Sequence, residues 1–115
     1  MKVIIAGGRE FNNYKLLKES CDRILSRQTD IEIVSGKALG ADKLGEDYAE
    51  EKGYKVTEFP ADWKKYNKGA GPIRNKQMAE YADGLIAFWD GESKVTKNII
   101  DLAKKYNLKV KVILY

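Results

Sequence analysis

Short apolar runs alternate along the chain with longer segments whose apolar residues recur at helical spacing, and this alternation constrains the fold most. The short runs predict five strands, at Lys2–Ala6, Ile31–Val34, Tyr54–Phe59, Gly84–Trp89 and Lys109–Leu114. Continuous apolar runs of this length, often ended by glycine or proline, are typical of strands buried in a parallel sheet.

The segments between these runs predict four helices, at Asn12–Arg27, Ala41–Lys52, Pro72–Ala82 and Lys94–Tyr106. Asn12 or Asn13 would cap the first helix, and Asp62–Gly71 is predicted to be a longer loop. Strands that alternate with helices favour an α/β Rossmann-like domain, with a mainly parallel sheet and helices on both faces. Right-handed crossovers then favour the strand order 3-2-1-4-5.

Composition excludes several kinds of site. The 115 residues are predicted to form one domain, residues 1–115, because no linker or repeat interrupts them. The chain has no histidine and one cysteine, Cys21, which excludes histidine-based triads, histidine-ligated metals and an internal disulfide. We therefore expect no metal and no cofactor.

The apolar run near the N-terminus is too short for a signal peptide or a membrane span, so we expect a cytoplasmic protein with no membrane partner. The formal net charge of +4 is compatible with anionic ligands. It does not by itself indicate nucleic-acid binding, because the lysines are dispersed among acidic residues.

Glycine-bearing loops follow the first, second and fourth predicted strands, which are neighbours in the order 3-2-1-4-5. Ligands of open parallel sheets bind at the carboxyl ends of the strands, where the strand order reverses. The three loops are therefore expected to converge on one crevice.

The first loop runs from Gly7 and Gly8 through Arg9 to Phe11. The two glycines allow a sharp turn and a close approach to a ligand, and Arg9 would make a bidentate contact to phosphate or carboxylate. The other interpretation is an ordinary turn with a surface arginine.

The second loop opens a helix, so its N–H groups and the helix dipole suit a phosphate. Its candidate ligand-binding residues are Ser35, Gly36, Lys37, Gly40, Ala41 and Asp42. The spacing is not that of a P-loop. Asp42 either favours the helix N-terminus electrostatically or accepts a hydrogen bond from a ribose hydroxyl.

The third loop also precedes a helix, and its candidate ligand-binding residues are Asp90, Gly91, Ser93, Lys94 and Thr96. Ser93 or Thr96 either caps that helix or binds the ligand.

Residues before the fourth strand complete the candidate site. Arg74 and Asn75 lie in the first turns of the preceding helix and are expected near the same edge of the sheet. Trp63 and Tyr66 either stack on a base or cover the core.

Four ordered motifs carry a resemblance over nearly the whole chain. They are GGREF (7–11), SGKALGADKLGEDYA (35–49), FPADWKKYNKGAGPIRNKQM (59–78) and ADGLIAFWDGESKVT (82–96). Together they resemble the YspA/YpsA-related branch of the SLOG superfamily. The resemblance implies a Rossmann-like fold that binds nucleotides or nucleotide-derived signals. The wider superfamily includes the lonely-guy phosphoribohydrolases and the single-stranded-DNA-binding protein DprA.

The resemblance to the phosphoribohydrolases fails at one position. Arg74, Met78 and Ala82-Asp83 match their pattern, but their catalytic glutamate would fall on Asn98. An amide cannot serve as a general acid or base, so hydrolysis by that mechanism is not expected. The closer branch usually has glycine where Lys37 and Val95 stand. Lys37 would add a cation at the predicted phosphate site.

The favoured hypothesis is a non-catalytic module that binds a nucleotide or nucleotide-derived ligand, as a sensor or by sequestering it. An N-glycoside hydrolase of nucleoside monophosphates is one alternative. A DprA-like single-stranded nucleic-acid binder is another, with contacts from Trp63, Tyr66, Lys64, Lys65 and Lys68. A homo-oligomer also stays open, because Tyr48, Tyr81 and Tyr106 either make subunit contacts or complete the core.

Overall fold

The computed structural model describes residues 1–115 and contains one five-stranded parallel sheet. The strands are β1 (Lys2–Gly7), β2 (Glu32–Ser35), β3 (Lys55–Glu58), β4 (Gly84–Trp89) and β5 (Lys109–Leu114). Their order in the sheet is β3-β2-β1-β4-β5, and every neighbouring pair is parallel. The predicted α/β class and strand order are therefore confirmed.

Four long helices and one short one connect the strands. They are α1 (Tyr14–Leu25), α2 (Ala41–Lys52), α3 (Trp63–Tyr66), α4 (Ala70–Tyr81) and α5 (Lys94–Lys105). Asn13 caps α1, because its side-chain oxygen accepts a hydrogen bond from the Leu16 amide at 3.0 Å. No helix is long and apolar enough to cross a membrane.

The predicted loop Asp62–Gly71 is wrong as a description of this segment. It contains α3, a 3₁₀ turn at Asn67–Gly69 and the start of α4, two residues before Pro72. Proline is tolerated there because amides in the first turn of a helix have no intrahelical acceptor. None of the residues in α3 and the 3₁₀ turn is buried, so the segment lacks the apolar periodicity that would predict a helix.

The core lies on both faces of the sheet. Helices α1 and α2 pack over the face that carries Ile5 and Phe88, and α4 and α5 pack over the face that carries Ile4 and Leu85. Tyr48 completes the first of these clusters, since it is 1% exposed and its hydroxyl donates to Asp22 at 2.7 Å.

The loops after β1 and β2 are in direct contact. A Cβ at Gly40, the residue before α2, would lie 2.1 Å from the carbonyl oxygen of Gly8. The Gly8 carbonyl also accepts a hydrogen bond from the Ala41 amide at 3.2 Å. The start of α2 is thereby held against the end of β1.

The variants Gly40→Ala and Gly53→Ala compare the two glycines that flank α2, which have similar φ values of 76° and 75° but ψ values of −126° and 25°. At Gly53 a Cβ would have no atom within 4 Å, so alanine is expected to cost only backbone strain, about 1 kcal/mol. At Gly40 the backbone conformation is less accessible to alanine and a Cβ would also overlap with Gly8, so we expect the free energy of unfolding to fall by more than about 3 kcal/mol. Urea unfolding measures both values, and equal losses would contradict the close packing of the loops.

Candidate functional site

A cavity of about 560 Å³ lies beside the carboxyl ends of β1, β2 and β4. Its size is that of small-molecule sites, and it opens where the strand order reverses. The loops after these three strands and helix α4 all contribute to its lining. The predicted site residues that line it are Gly7, Arg9, Gly36, Lys37, Asp42, Trp63, Arg74, Asn75, Ser93 and Thr96.

The remaining predicted site residues lie outside the lining of this cavity. They are Gly8, Phe11, Ser35, Gly40, Ala41, Asp90, Gly91 and Lys94. Several have visible structural contacts instead. Phe11 is buried against Phe88 at a ring-centroid distance of 4.9 Å, and the Ser35 hydroxyl donates to Glu46 at 2.6 Å. The Asp90 side chain accepts from the amides of Glu92 and Ser93, both at 2.9 Å.

Arg74 and its neighbour Asn75 link helix α4 to the loop after β2 and to helix α5. Arg74 is 6% exposed, and its Nη1 donates to the Gly36 carbonyl at 2.5 Å while its Nε donates to Asn75 at 2.9 Å. Asn75 in turn donates to the side chain of Asn98 at 3.0 Å and to the Val95 carbonyl at 3.3 Å. A guanidinium has five N–H donors, so these two bonds leave donors for a ligand.

Asp42 is a carboxylate buried in the same cavity. It is 5% exposed, and its Oδ2 accepts from the Ala38 amide at 3.3 Å. Burial raises the pKa of Asp42 to about 6, although the charge of Arg74 and the Ala38 hydrogen bond act in the opposite direction. A carboxyl with such a pKa in a cleft is typical of functional sites.

Because Gly36 has no side chain, there is room beside it for both the Asp42 carboxylate and the Arg74 guanidinium. A Cβ on Gly36 would lie 2.7 Å from Nη1 of Arg74 and 2.8 Å from Oδ2 of Asp42. Any side chain at this position would therefore displace one of the two polar groups. Burial lowers the pKa of Arg74, and the nearby Asp42 partly offsets this effect.

Lys37 has a positive φ of 59°, a backbone conformation that favours glycine. Its ammonium lies 3.1 Å from Glu46 and 3.0 Å from Glu58. The cation that Lys37 was predicted to add at the phosphate site is therefore paired with two carboxylates.

Ser93 caps α5, since its hydroxyl oxygen accepts from the Thr96 amide at 3.3 Å. Thr96 is 3% exposed. Of the two predicted capping residues, Ser93 takes that role, and both side chains also line the cavity.

Sequence reasoning missed most of the apolar lining. The additional apolar residues are Ala6, Ala38, Leu39, Ala61, Met78, Val95 and Ile99, and Lys68, predicted above only as a nucleic-acid contact, also lines the cavity. Leu39 is 71% exposed and Val95 is 49% exposed. For Leu39 and Val95, the signal in the sequence was a large apolar residue inside a polar, glycine-bearing loop. No cluster of acidic, cysteine or histidine side chains able to hold a metal ion is present.

The sequence profile of the YspA, cpYpsA-related SLOG family matches residues 1–66, more than half of the chain. The chain belongs to this SLOG family. The matched part contains the loops after β1 and β2, whereas Arg74, Ser93 and Thr96 of the SLOG chain lie beyond it.

A solved structure supports the fold of this SLOG chain. DNA processing protein A from Helicobacter pylori, described with its single-stranded DNA binding mode, matches with a TM-score of 0.69 at 22% sequence identity. The match covers 97% of the SLOG chain and 64% of that protein, so the SLOG chain spans less than two thirds of it. At this identity the likeness shows a shared fold. No curated protein matches the chain.

The variant Asp42→Asn is expected to stabilise the fold at pH 7.5 and to leave it nearly unchanged near pH 3.5. The carboxyl has a higher pKa when folded, about 6, than its ordinary value of 3.8. Its contribution to stability is therefore fully present below about pH 4 and is lost as the pH rises through 6. Asparagine does not ionise, so the variant avoids that loss. We expect its free energy of unfolding at pH 7.5 to exceed that of the unmodified chain by about 1–3 kcal/mol.

Urea unfolding at the two pH values tests this expectation. Asp47→Asn, at a partly exposed position of the same helix, controls for the loss of a carboxylate from α2. A stability difference between Asp42→Asn and the unmodified chain that is the same at both pH values would contradict the burial effect.

Proposed function

We propose that this SLOG chain binds a nucleotide or nucleotide-derived ligand in the cavity, as a sensor or by sequestering it. The observation that carries the proposal is the buried guanidinium of Arg74, which lies with Arg9 at the edge where the strand order reverses. Membership of the SLOG family and the parallel Rossmann-like sheet support the same class of ligand.

The phosphate would lie at the end of the cavity formed by Arg9, Arg74, Ser93 and Thr96. Guanidinium groups recognise phosphate oxygens through paired N–H donors, which gives geometric specificity as well as attraction. The N-terminus of α5 adds a favourable dipole at the same end. Asp42 is the one carboxylate in the lining and would accept a hydrogen bond from a sugar hydroxyl.

Binding is favoured over cleavage because of Asn98. This residue occupies the position that the resemblance gives to a catalytic carboxylate, and its side chain accepts a hydrogen bond from Asn75. An amide has no proton to exchange near neutral pH, so it cannot act as a general acid or base. Incubation with nucleoside monophosphates at high protein concentration is expected to release no free base. Release that exceeds a no-protein control would support the hydrolase instead.

Arg9→Gln is expected to weaken binding of a nucleoside monophosphate by about 10-fold or more, because a charged hydrogen bond contributes about 1.5–3 kcal/mol. Arg9 is exposed, so the substitution should leave the fold intact. Arg23→Gln, at an exposed position of α1, is the matched control and should bind as the unmodified chain does.

Calorimetry with a panel of nucleoside monophosphates gives the affinities, and a rise in melting temperature gives an independent measure. A panel that produces neither heat nor a thermal shift with the unmodified chain would overturn the proposed function. Equal losses in the Arg9 and Arg23 variants would instead indicate a general charge effect.

Single-stranded nucleic acid is a second candidate, favoured by one observation. Helix α3 and the following turn expose two aromatic and three basic side chains: Trp63, Tyr66, Lys64, Lys65 and Lys68. Aromatic residues beside basic ones are typical of surfaces that bind single strands. DNA processing protein A, whose fold the chain shares, is described as binding single-stranded DNA.

Replacement of the three lysines by glutamine tests this candidate. If the surface binds oligonucleotides, affinity should fall steeply with salt, and the triple variant should show a shallower salt slope. Oligonucleotide affinity that does not change between low and high salt would exclude the candidate.

A further inference from the structure

Exposed apolar side chains concentrate around the mouth of the cavity. Eight large hydrophobic side chains are exposed, and three of them, Leu39, Trp63 and Val95, line the cavity itself. Tyr66 and Ile73 line an adjoining groove on the other side of α3. A cluster of large apolar side chains exposed to solvent is typical of a binding surface.

Trp63 is the largest of these groups and is held in place without being buried. Asp62 caps α3 by accepting from the Lys65 amide at 3.1 Å, which fixes the start of the helix. The indole packs over Gly71 but keeps 49% of its surface exposed. Helix α3 buries no residue, so Trp63 does not serve as a core anchor for it.

The indole lies beside the cationic end of the cavity. Three groups surround the point where a Cβ on Gly71 would stand: Cη2 of Trp63 at 3.7 Å, Nη2 of Arg74 at 3.8 Å and Cγ1 of Val95 at 4.0 Å. A flat apolar surface and a guanidinium are thus next to each other in one cavity. A nucleoside phosphate has the same arrangement, with a flat base and an anion separated by one sugar.

We propose that Trp63, with Val95 nearby and Leu39 in the same cavity lining, forms the base-binding end of the cavity and selects ligands that carry an aromatic base. The proposal rests on the proposed function, and it adds that phosphate alone does not define the ligand. The base stacks on the open face of the indole while the phosphate bonds to Arg74 and Arg9. Inorganic phosphate and ribose 5-phosphate, which lack the base, bind more weakly.

Trp63→Ala is expected to weaken binding of adenosine 5′-monophosphate by about 5- to 150-fold, the range for one stacked base. The same variant should leave the affinities for ribose 5-phosphate and inorganic phosphate unchanged. Trp63→Phe keeps an aromatic surface and should retain most of the affinity. Leu114→Ala is the control, because Leu114 is also a large apolar side chain exposed to solvent but does not line the cavity.

A spectroscopic readout separates stacking from an indirect effect. The chain has two tryptophans, so Trp89→Phe leaves Trp63 as the single indole. Adenosine 5′-monophosphate should quench the fluorescence of this variant at the concentrations that give calorimetric binding. Ribose 5-phosphate should not quench it.

The outcomes distinguish the two proposals. If Trp63→Ala leaves nucleotide affinity unchanged, or weakens nucleotide and ribose 5-phosphate equally, the base-stacking proposal is wrong and the proposed function stands. If no nucleotide, sugar phosphate or phosphate binds the unmodified chain, both proposals are wrong. Base-dependent affinity that falls only in Trp63→Ala, together with quenching by the nucleotide alone, supports the assignment.

Discussion

The backbone hydrogen bonds of Gly8 fix the loops that surround the cavity, although Gly8 itself does not line it. Its amide donates to the Phe88 carbonyl at the end of β4, and its carbonyl accepts from the amides of Phe11 and Ala41, all at 3.2 Å. One residue therefore connects the loop after β1 to β4 and to the start of α2. Because the loops after β1 and β2 are fixed relative to each other, the groups that they carry keep a defined separation.

Because these hydrogen bonds fix the loops, the fold tolerates groups near the cavity that are destabilising by themselves. Asp42 is a carboxyl that burial makes costly to ionise, and Lys37 has a backbone conformation that L-residues rarely adopt. Such costs persist when the surrounding structure determines the local geometry, and they are common at sites that have been shaped for binding. Gly36 contributes to the same arrangement, because any side chain there would meet Arg74 or Asp42.

Patterns local in sequence predicted the fold well, but not all of the cavity. Apolar runs gave the strands, and right-handed crossovers gave their order. Helix α3 was missed because it buries nothing and so has no periodicity. The pairing of Lys37 with Glu58 joins the second loop to β3, a contact that depends on the folded chain. The pKa of Asp42 likewise depends on burial, which sequence patterns do not determine.

The residues that line the cavity come from both the matched and the unmatched part of the chain. The residues matched by the family profile end at Tyr66, so they include Arg9, Asp42 and Trp63. The buried guanidinium of Arg74 and the hydroxyls of Ser93 and Thr96 come from α4 and α5, beyond that match. Family membership alone therefore does not determine how this chain would bind a phosphate. Trp63, the proposed base-binding residue, lies on a short surface helix with no part in the core, so substitution there is expected to cost little stability.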